Sequence, residues 1–311
     1  MYDQRINDST PTMFLTEEQV RAVLRMEELI PAMAGALRDL SAGKVQQPMR
    51  TVLPVAEHTG FFAVMPAYGG ALGAKLVTFY PHNTEVHTHH AMILLFRPET
   101  GEPLVTMDGR LITEMRTAAV SAVATDALAR ADASVLAILG SGVQARSHLE
   151  AMRIVRRFRE VRVWSPRNAH AFAKEFDVRA AASAEEAVRG ADVIVVATAA
   201  TTPVLMGEWL SPGAHINALG ATRPDWRELD DAILRRARIY VEAREAAMKE
   251  SGDIIAAGNI FAEIGEVVAG TKSGRKSEEE ITLFKSVGVA VEDIVAADLV
   301  WRRTRAPQDN A

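Results

Sequence analysis

The spacing of apolar positions changes twice along the chain. Near the start, Thr16-Glu-Glu-Gln19 reads as a capping box, in which Thr16 accepts from the Gln19 amide and Gln19 reaches back. Leu15 and Val20 stand at the two staple positions, and Val20, Val23, Leu24, Met26 and Leu29 then form a helical stripe. From Met49 short apolar runs at 51–55, 61–66, 75–80, 92–96 and 104–107 alternate with turn residues, which predicts a mainly antiparallel sheet. Asp108-Gly109, between LVTM and RLIT, predicts a hairpin turn. An alanine-rich helix is predicted over 114–130, opened by Thr113. Beyond it, strands at 135–139, 161–165, 193–198, 215–219 and 239–242 alternate with helices at 143–155 and 169–176. That alternation implies a parallel sheet covered on both faces. Residues 1–12 read as a loose tail, 271–280 as a polar surface loop and 287–301 as a final helix.

Composition narrows the class. A chain of 311 residues is natural for two domains, and 48% hydrophobic with 24% charged residues fits a globular enzyme rather than a disordered or fibrous chain. The net charge of −5 is spread along the chain without a basic block, so nucleic acid is not an expected partner. There is no cysteine, which excludes disulfides, thiolate metal sites and a cysteine nucleophile and fits a cytoplasmic protein. The polar start MYDQRINDST lacks the apolar core of a signal peptide, and no run approaches the roughly 18 apolar residues of a membrane span. A soluble chain without membrane partners is expected.

The most specific local signal is Ser134-Val-Leu-Ala-Ile-Leu-Gly140-Ser-Gly142-Val-Gln-Ala145. Gly140 would let the chain turn at the strand end. Gly142 would let a pyrophosphate approach the backbone, and Ala145 would allow close packing of helix on strand. The amides of Val143 and Gln144 at the helix start, together with Ser141, would face the phosphates. The next strand ends at Ser165-Pro-Arg167-Asn168, where an enzyme for NAD would usually carry an acidic residue for the ribose. Without that carboxylate, and with Arg167 able to pair with a 2′-phosphate, NADPH is favoured and NADH is the alternative.

These residues occur in a larger set. The glycine turn lies downstream of Met115-Arg-Thr-Ala-Ala-Val-Ser-Ala-Val123. It is followed by Pro212-Gly-Ala-His-Ile-Asn217, Arg223-Pro-Asp-Trp-Arg-Glu-Leu229, Lys249-Glu-Ser-Gly-Asp253, Phe284-Lys-Ser-Val-Gly288 and Val291-Glu-Asp293. Together they resemble the ornithine cyclodeaminase/mu-crystallin family from about Arg50 to Ala297. Met65-Pro-Ala-Tyr68, Lys75–Tyr80 and RPDWREL are most similar to its mu-crystallin, ketimine reductase branch. The resemblance implies an α/β chain in which a Rossmann-type parallel-sheet domain (123–284) is inserted into an α+β substrate-binding and dimerisation domain (1–122, completed by 285–311). It also implies a homodimer and a small imino- or amino-acid substrate bearing a carboxylate, hence a role in amino-acid metabolism.

It further implies site residues. Arg50, Lys75 and Arg116 match the family's three basic pocket positions. Arg116 is expected in the first turn of its helix, with its fork and the helix amides facing an anion. Lys75, in an apolar strand, is placed to donate or accept a proton, and Arg50 to complete a carboxylate clamp. Thr88 and His89 match nicotinamide contacts, and Thr198, Gly220 and Val287 match positions beside the cofactor, which Arg116 is also expected to touch. No metal is expected, because the two-histidine pattern here lacks a third ligand at useful spacing, and His87 and His90 are given no role. At Thr222 the sequence departs from members that cyclise ornithine, which carry an aspartate as general base there; a hydroxyl cannot take that part near neutral pH, but the ketimine reductase branch has a small hydroxyl residue there, so Thr222 is counted with Lys75 as a catalytic position. Asp225, Glu228, Asp230 and Asp231 read as carboxylates at a helix start and on its wet face. The expected reaction is NAD(P)H-dependent reduction of a carboxylated imine. An ornithine cyclodeaminase-type lyase and a non-catalytic binder of NADPH and an amino acid are the alternatives.

Overall fold

A computed structural model describes residues 13–306; the expected loose tail at 1–12 lies outside them. The chain begins with β1 (Met13–Leu15), α1 (Glu17–Val23) and α2 (Met26–Ser41). It continues through β2 (Thr51–Val55), β3 (Gly60–Tyr68), β4 (Leu72–Phe79), β5 (His89–Phe96), β6 (Pro103–Asp108) and α3 (Arg110–Leu128). Then follow β7 (Val135–Leu139), α4 (Val143–Val155), β8 (Glu160–Trp164), α5 (Ala169–Phe176), β9 (Arg179–Ala180), α6 (Ala184–Val188), β10 (Val193–Val196) and β11 (His215–Ala218). The last elements are α7 (Asp231–Arg236), β12 (Arg238–Val241), α8 (Arg244–Glu250), α9 (Gly252–Ala257), β13 (Ala262–Glu263), α10 (Ile264–Val268), β14 (Thr282–Lys285) and α11 (Ala290–Arg305). Among the described residues no helix is long and apolar enough to cross a membrane.

By their internal contacts the residues fall into two compact units. Among the described residues, the first takes those up to Arg25, Val45–Thr113 and those from Ala290; the second takes Met26–Lys44 and Glu114–Val289. In the first unit a six-stranded sheet has the order β1-β6-β5-β4-β3-β2. Its pairings are antiparallel except β1 with β6. Helix α11 lies on β3, β4 and β5. The strands alternate as a one-sided sheet must: Ala63, Met65 and Ala67 on β3, Val77 on β4 and Ile93 and Leu95 on β5 are buried. The capping box at Thr16 is present and starts α1.

The second unit is a parallel eight-stranded sheet of order β13-β12-β14-β11-β10-β7-β8-β9. From β7 the chain winds outward through β8 and β9, then returns to place β10 on the other side of β7. The order therefore reverses between β7 and β10, the switch point where doubly wound sheets bind ligands beyond their strands' carboxyl ends. The central strands β7 and β10 are apolar on both faces, with all five β7 side chains and all four of β10 buried, as a covered parallel sheet requires. Helix α2 belongs here too. Ser41 donates to Glu263 at 2.8 Å, and α10 comes so close that a side chain on Gly265 would collide with the Leu37 carbonyl.

Three local expectations are corrected. Asp108-Gly109 makes no hairpin: Asp108 Oδ1 accepts from the Arg110 amide at 2.9 Å and starts α3, a use of Asp before a helix that competes with its use in a turn. The helix therefore begins at Arg110 rather than near Thr113, whose hydroxyl instead donates to the Gly109 carbonyl at 2.8 Å. The single stripe read through 20–29 is two helices, because Arg25 folds back onto the Arg21, Ala22 and Leu24 carbonyls and ends α1. Strands β9, β13 and β14 are not marked by the apolar pattern, and two of them have only two residues.

Behind the glycine turn, His148 is fully buried in α4, bonded to the Gln144 carbonyl at 2.7 Å and to Ser121 Oγ on α3 at 2.9 Å. Burial lowers its pKa to about 4, against the opposing bond to Gln144. An unfolded histidine titrates near about 6.5. The unfolded chain therefore binds more protons between those values, so this ring's contribution is intact above about pH 6.5 and is lost as pH falls toward 4. We expect the stability difference between wild type and His148→Gln, from urea unfolding, to shrink steadily across that window. A difference independent of pH would show that the ring is not buried in its neutral form.

Candidate active site

In the first unit, β4 sets Lys75 on the sheet face covered by α11. Lys75 pairs in register with Met65 on β3 and Ile93 on β5, and all three are at most 3% exposed. A lone ammonium would be very costly there. The answer comes from α11: Asp293 Oδ2 lies 2.6 Å from Lys75 Nζ, with the carboxylate side chain fully buried. Gly73, on the same face of β4, opens room for the helix, since a Cβ there would touch Ile294 Cδ1 at 3.0 Å. In the sequence Asp293 stands out only as part of the Val291-Glu-Asp293 motif. No periodicity could join it to a lysine more than two hundred residues earlier.

Arg50 lies one residue before β2, whose Thr51 pairs with Val64. It is therefore level with Met65, and so with Lys75 two strands over, roughly 10 Å away at ordinary strand spacing. Thr88 is exposed and its carbonyl accepts from Tyr80. His89 is the first residue of β5 and pairs with Phe79, four residues along β4 from Lys75, or roughly 13 Å at the rise of a strand. The basic pair and the Thr88–His89 segment thus mark two points along one sheet.

In the second unit, Gly140 follows β7 with φ of 121°, and a side chain on it would run into the Ala197 carbonyl just after β10. Only glycine suits that turn. Gly142 is the N-cap of α4 and has open space where a Cβ would stand. No side chain caps the helix, and Gln144 Oε1, buried in its first turn, has no hydrogen-bond partner among the described residues. Bare amides, open space and an unanswered polar atom at a switch point fit a dinucleotide pyrophosphate. Ser141 donates to Ser165 at 2.9 Å, and Ser165 accepts from the Asn168 amide at 3.2 Å, so the turns after β7 and β8 are tied together. Val143 and Arg167 are exposed.

Arg116 is only 5% exposed, but it is the seventh residue of α3, not in its first turn. The expected help from free helix amides is therefore absent, since such amides lie before Thr113, whose own amide already bonds the Gly109 carbonyl at 2.9 Å. Its guanidinium instead lies against Gly288, where a Cβ would come within 2.7 Å of Nη1. Gly288 has φ of 73°, so a bare, left-handed residue makes the room. Val287 donates its amide to Glu242 at 2.8 Å. Thr198 and Gly220 follow β10 and β11, and Thr222 is exposed just beyond.

The acidic run after β11 divides. Asp230 caps α7 by accepting from the Ile233 amide at 2.9 Å, and Asp231 pairs with Arg227 at 2.7 Å, as a helix start suggests. Glu228 corrects the expectation of a wet face: it is fully buried. Its carboxylate accepts from Thr198 and from the amides of Gly220 and Ala221.

Removing one partner of a buried ion pair typically costs about 3–5 kcal/mol, whereas replacing both with apolar groups is often neutral. We expect Asp293→Ala to lower stability by about that amount and Lys75→Met/Asp293→Leu to recover most of it. Chemical unfolding of the double-mutant cycle checks this. Additive effects would mean that Lys75 and Asp293 are not coupled.

A sequence profile of the ornithine cyclodeaminase/mu-crystallin family matches residues 10–308. The chain is 53% identical over 302 residues to the ketimine reductase mu-crystallin of Mus musculus, covering 93% of this chain and 96% of the relative. Among solved structures, Δ1-pyrroline-2-carboxylate reductase of Thermococcus litoralis, in complex with NADH and L-proline, superimposes with a TM-score of 0.90. It has 40% identity and covers 94% of this chain and 97% of that one. An archaeal alanine dehydrogenase dimer with bound NAD gives a TM-score of 0.89 at 38% identity, with 94% and 96% covered. The parallel sheet with its glycine turn and these matches over nearly the whole chain lead to one conclusion: the chain belongs to the ornithine cyclodeaminase/mu-crystallin family.

Proposed function

We propose that this chain is an oxidoreductase that uses NAD(P)H to reduce small carboxylated imines at their C=N bond. The observation that carries the reading is a buried ammonium, Lys75, held by Asp293 in a sheet otherwise packed with apolar side chains. The 53% identity to a ketimine reductase and the 0.90 TM-score to a pyrroline-carboxylate reductase support it. Cyclic ketimines such as Δ1-piperideine-2-carboxylate and Δ1-pyrroline-2-carboxylate, and linear 2-imino acids, are the substrate class.

When bound, the nicotinamide supplies the hydride. The protein supplies charge and orientation. Lys75 holds a proton for the imine nitrogen, which makes the attached carbon a better acceptor, and Asp293 keeps the amine oriented and balances its charge. Arg50 and Arg116 pair with the substrate carboxylate. Thr88, His89, Thr198, Gly220 and Val287 serve the cofactor, as do Gly140–Gln144 and the Ser165–Asn168 turn. Arg167, exposed at the end of β8 with no carboxylate beside it in sequence, favours NADPH through its 2′-phosphate. Thr222, a hydroxyl where cyclising relatives carry a base, directs the chemistry away from ornithine. The working assembly is a homodimer, a reading supported by the archaeal dimer.

An NADPH-oxidation assay over a panel of cyclic and linear imino acids, with ornithine included, tests the function. We expect turnover with at least one imine and no ammonia from ornithine; consumption of ornithine alone would make the enzyme a lyase. Lys75→Met is expected to lower kcat by about a hundredfold or more, the usual worth of a positioned proton donor, while NADPH still binds. Undiminished turnover would assign the proton elsewhere. Arg167→Ala is expected to lower kcat/KM for NADPH roughly tenfold and leave NADH nearly unchanged, the loss expected for one charge-assisted phosphate contact. An equal effect on both cofactors would remove Arg167 from phosphate recognition.

A further inference from the structure

We propose that Glu228 is a positioning residue for the cofactor: its buried carboxylate fastens the chain after β10 to the chain after β11, so that the sheet's carboxyl edge is set before a dinucleotide arrives. This rests on the reading that the dinucleotide binds at that edge. Glu228 Oε1 accepts from Thr198 Oγ1 at 2.6 Å and from the Thr198 amide at 3.2 Å. Oε2 accepts from the amides of Gly220 at 2.7 Å and Ala221 at 3.1 Å. One side chain therefore satisfies three backbone amides that follow two adjacent parallel strands and would otherwise be buried without partners. Gly220 is bare for the same reason, since a Cβ there would collide with both Glu228 Oε1 and the Thr198 carbonyl.

The charge is provided for. Lys285, the last residue of β14 and fully buried, places Nζ 3.9 Å from Glu228 Oε2 and 3.7 Å from Asp253 Oδ2. Asp253 in turn accepts from the Glu228 and Leu229 amides, each at 3.2 Å, which fixes the segment that carries Glu228. The next strand end follows the same plan. Glu242, directly after β12, accepts from Ser286 Oγ at 2.5 Å, from the Val287 amide at 2.8 Å and from the Gly288 amide at 3.2 Å. That holds the turn against which Arg116 rests. With Gly140 lying on the Ala197 carbonyl, the ends of β12, β14, β11, β10 and β7 are joined without a break, in the order in which they lie in the sheet.

One consequence concerns Thr198. Its hydroxyl proton goes to Glu228 and its oxygen accepts from the Ala200 amide at 3.1 Å. Thr198 therefore serves the cofactor by its position and backbone rather than by donating its hydroxyl.

Glu228→Gln puts an amide NH₂ where one carboxylate oxygen accepted from two donors, and it removes the charge that faces Lys285. Titrating wild type, Glu228→Gln and Glu228→Asp with NADPH, read by its fluorescence, tests the proposal, together with steady-state kinetics in both substrates and thermal unfolding. We expect Glu228→Gln to raise the NADPH Kd and KM at least about tenfold, the size of a lost hydrogen bond to a charged group. At saturating NADPH, kcat and the imine KM should stay within about threefold of wild type, since the chemistry is elsewhere. Glu228→Asp, which keeps the charge on a shorter arm, should fall between the two and serves as the reading if the glutamine variant does not fold. A variant that melts earlier but binds NADPH as wild type does would reduce Glu228 to ordinary stability and overturn the proposal. A wild-type protein that binds no dinucleotide would overturn the underlying reading instead.

Discussion

The constraint on which the rest depends is that a charge withdrawn from water must be answered by neighbours in fixed positions. An ionised group moved into a protein interior loses several kcal/mol of hydration, which is recovered only with close partners and satisfied hydrogen bonds. Each unit of this chain accepts that cost at chosen points. The first does so with Lys75 and Asp293, and the second with Glu228, Asp253, Lys285 and Glu242. Apolar side chains of similar volume would pack these positions with less conflict. What they would not provide is direction: a carboxylate with four donors around it can be satisfied in very few geometries, whereas a leucine fits many.

Direction matters because of the fold itself. A parallel sheet ends with amides and carbonyls at its carboxyl edge that no further strand can pair, and in a doubly wound sheet that edge is where the ligand must sit. Loops there have to be open to the ligand and yet stay in place without it. The chain meets both demands by bonding the loops to one another from beneath through Glu228 and Glu242. The glycines at 140, 220 and 288 remove the side chains that would otherwise intrude. Preorganisation of this kind reduces the ordering that binding must bring about.

Much of this was legible in the sequence wherever the information was local. The limits of β7, α4 and α5 follow from an apolar run, a glycine turn and helical spacing, and the structure reproduces them residue for residue. The capping box at Thr16 is likewise a matter of four adjacent residues. Local signals with two meanings did worse. Asp-Gly announces a hairpin or a helix start, and only the course of the chain after Arg110 decides between them. Helix phase was also lost at α3, where an alanine-rich stretch has no sharp beginning, and the error moved Arg116 into a first turn that lies six residues earlier. Glu228 was the most instructive miss. Among three other carboxylates it reads as a solvated helix start, and two of them behave that way. What sets Glu228 apart is supplied by Thr198, Asp253 and Lys285, distant positions on separate elements.

The same geometry decides where acid–base chemistry can reside. Burial pushes the Glu228 carboxyl above its usual range, against the pull of Lys285, Thr198 and the two amides, and burial raises Asp253 in the same way. A raised carboxyl at a ligand edge is often a sign of a general base, and Glu228 lies only six residues beyond Thr222. Its oxygens, however, already accept two donors apiece. A proton arriving on either would have to displace one of them and unfasten a strand end, so Glu228 is not placed to act as a general base. Thr222 offers no base of its own. Lys75 differs from both, because its amine can carry a proton and is paired with Asp293 Oδ2 at 2.6 Å. On the function proposed above, proton donation to an imine nitrogen therefore falls to Lys75, and the hydroxyl of Thr222 supplies no carboxylate for proton abstraction.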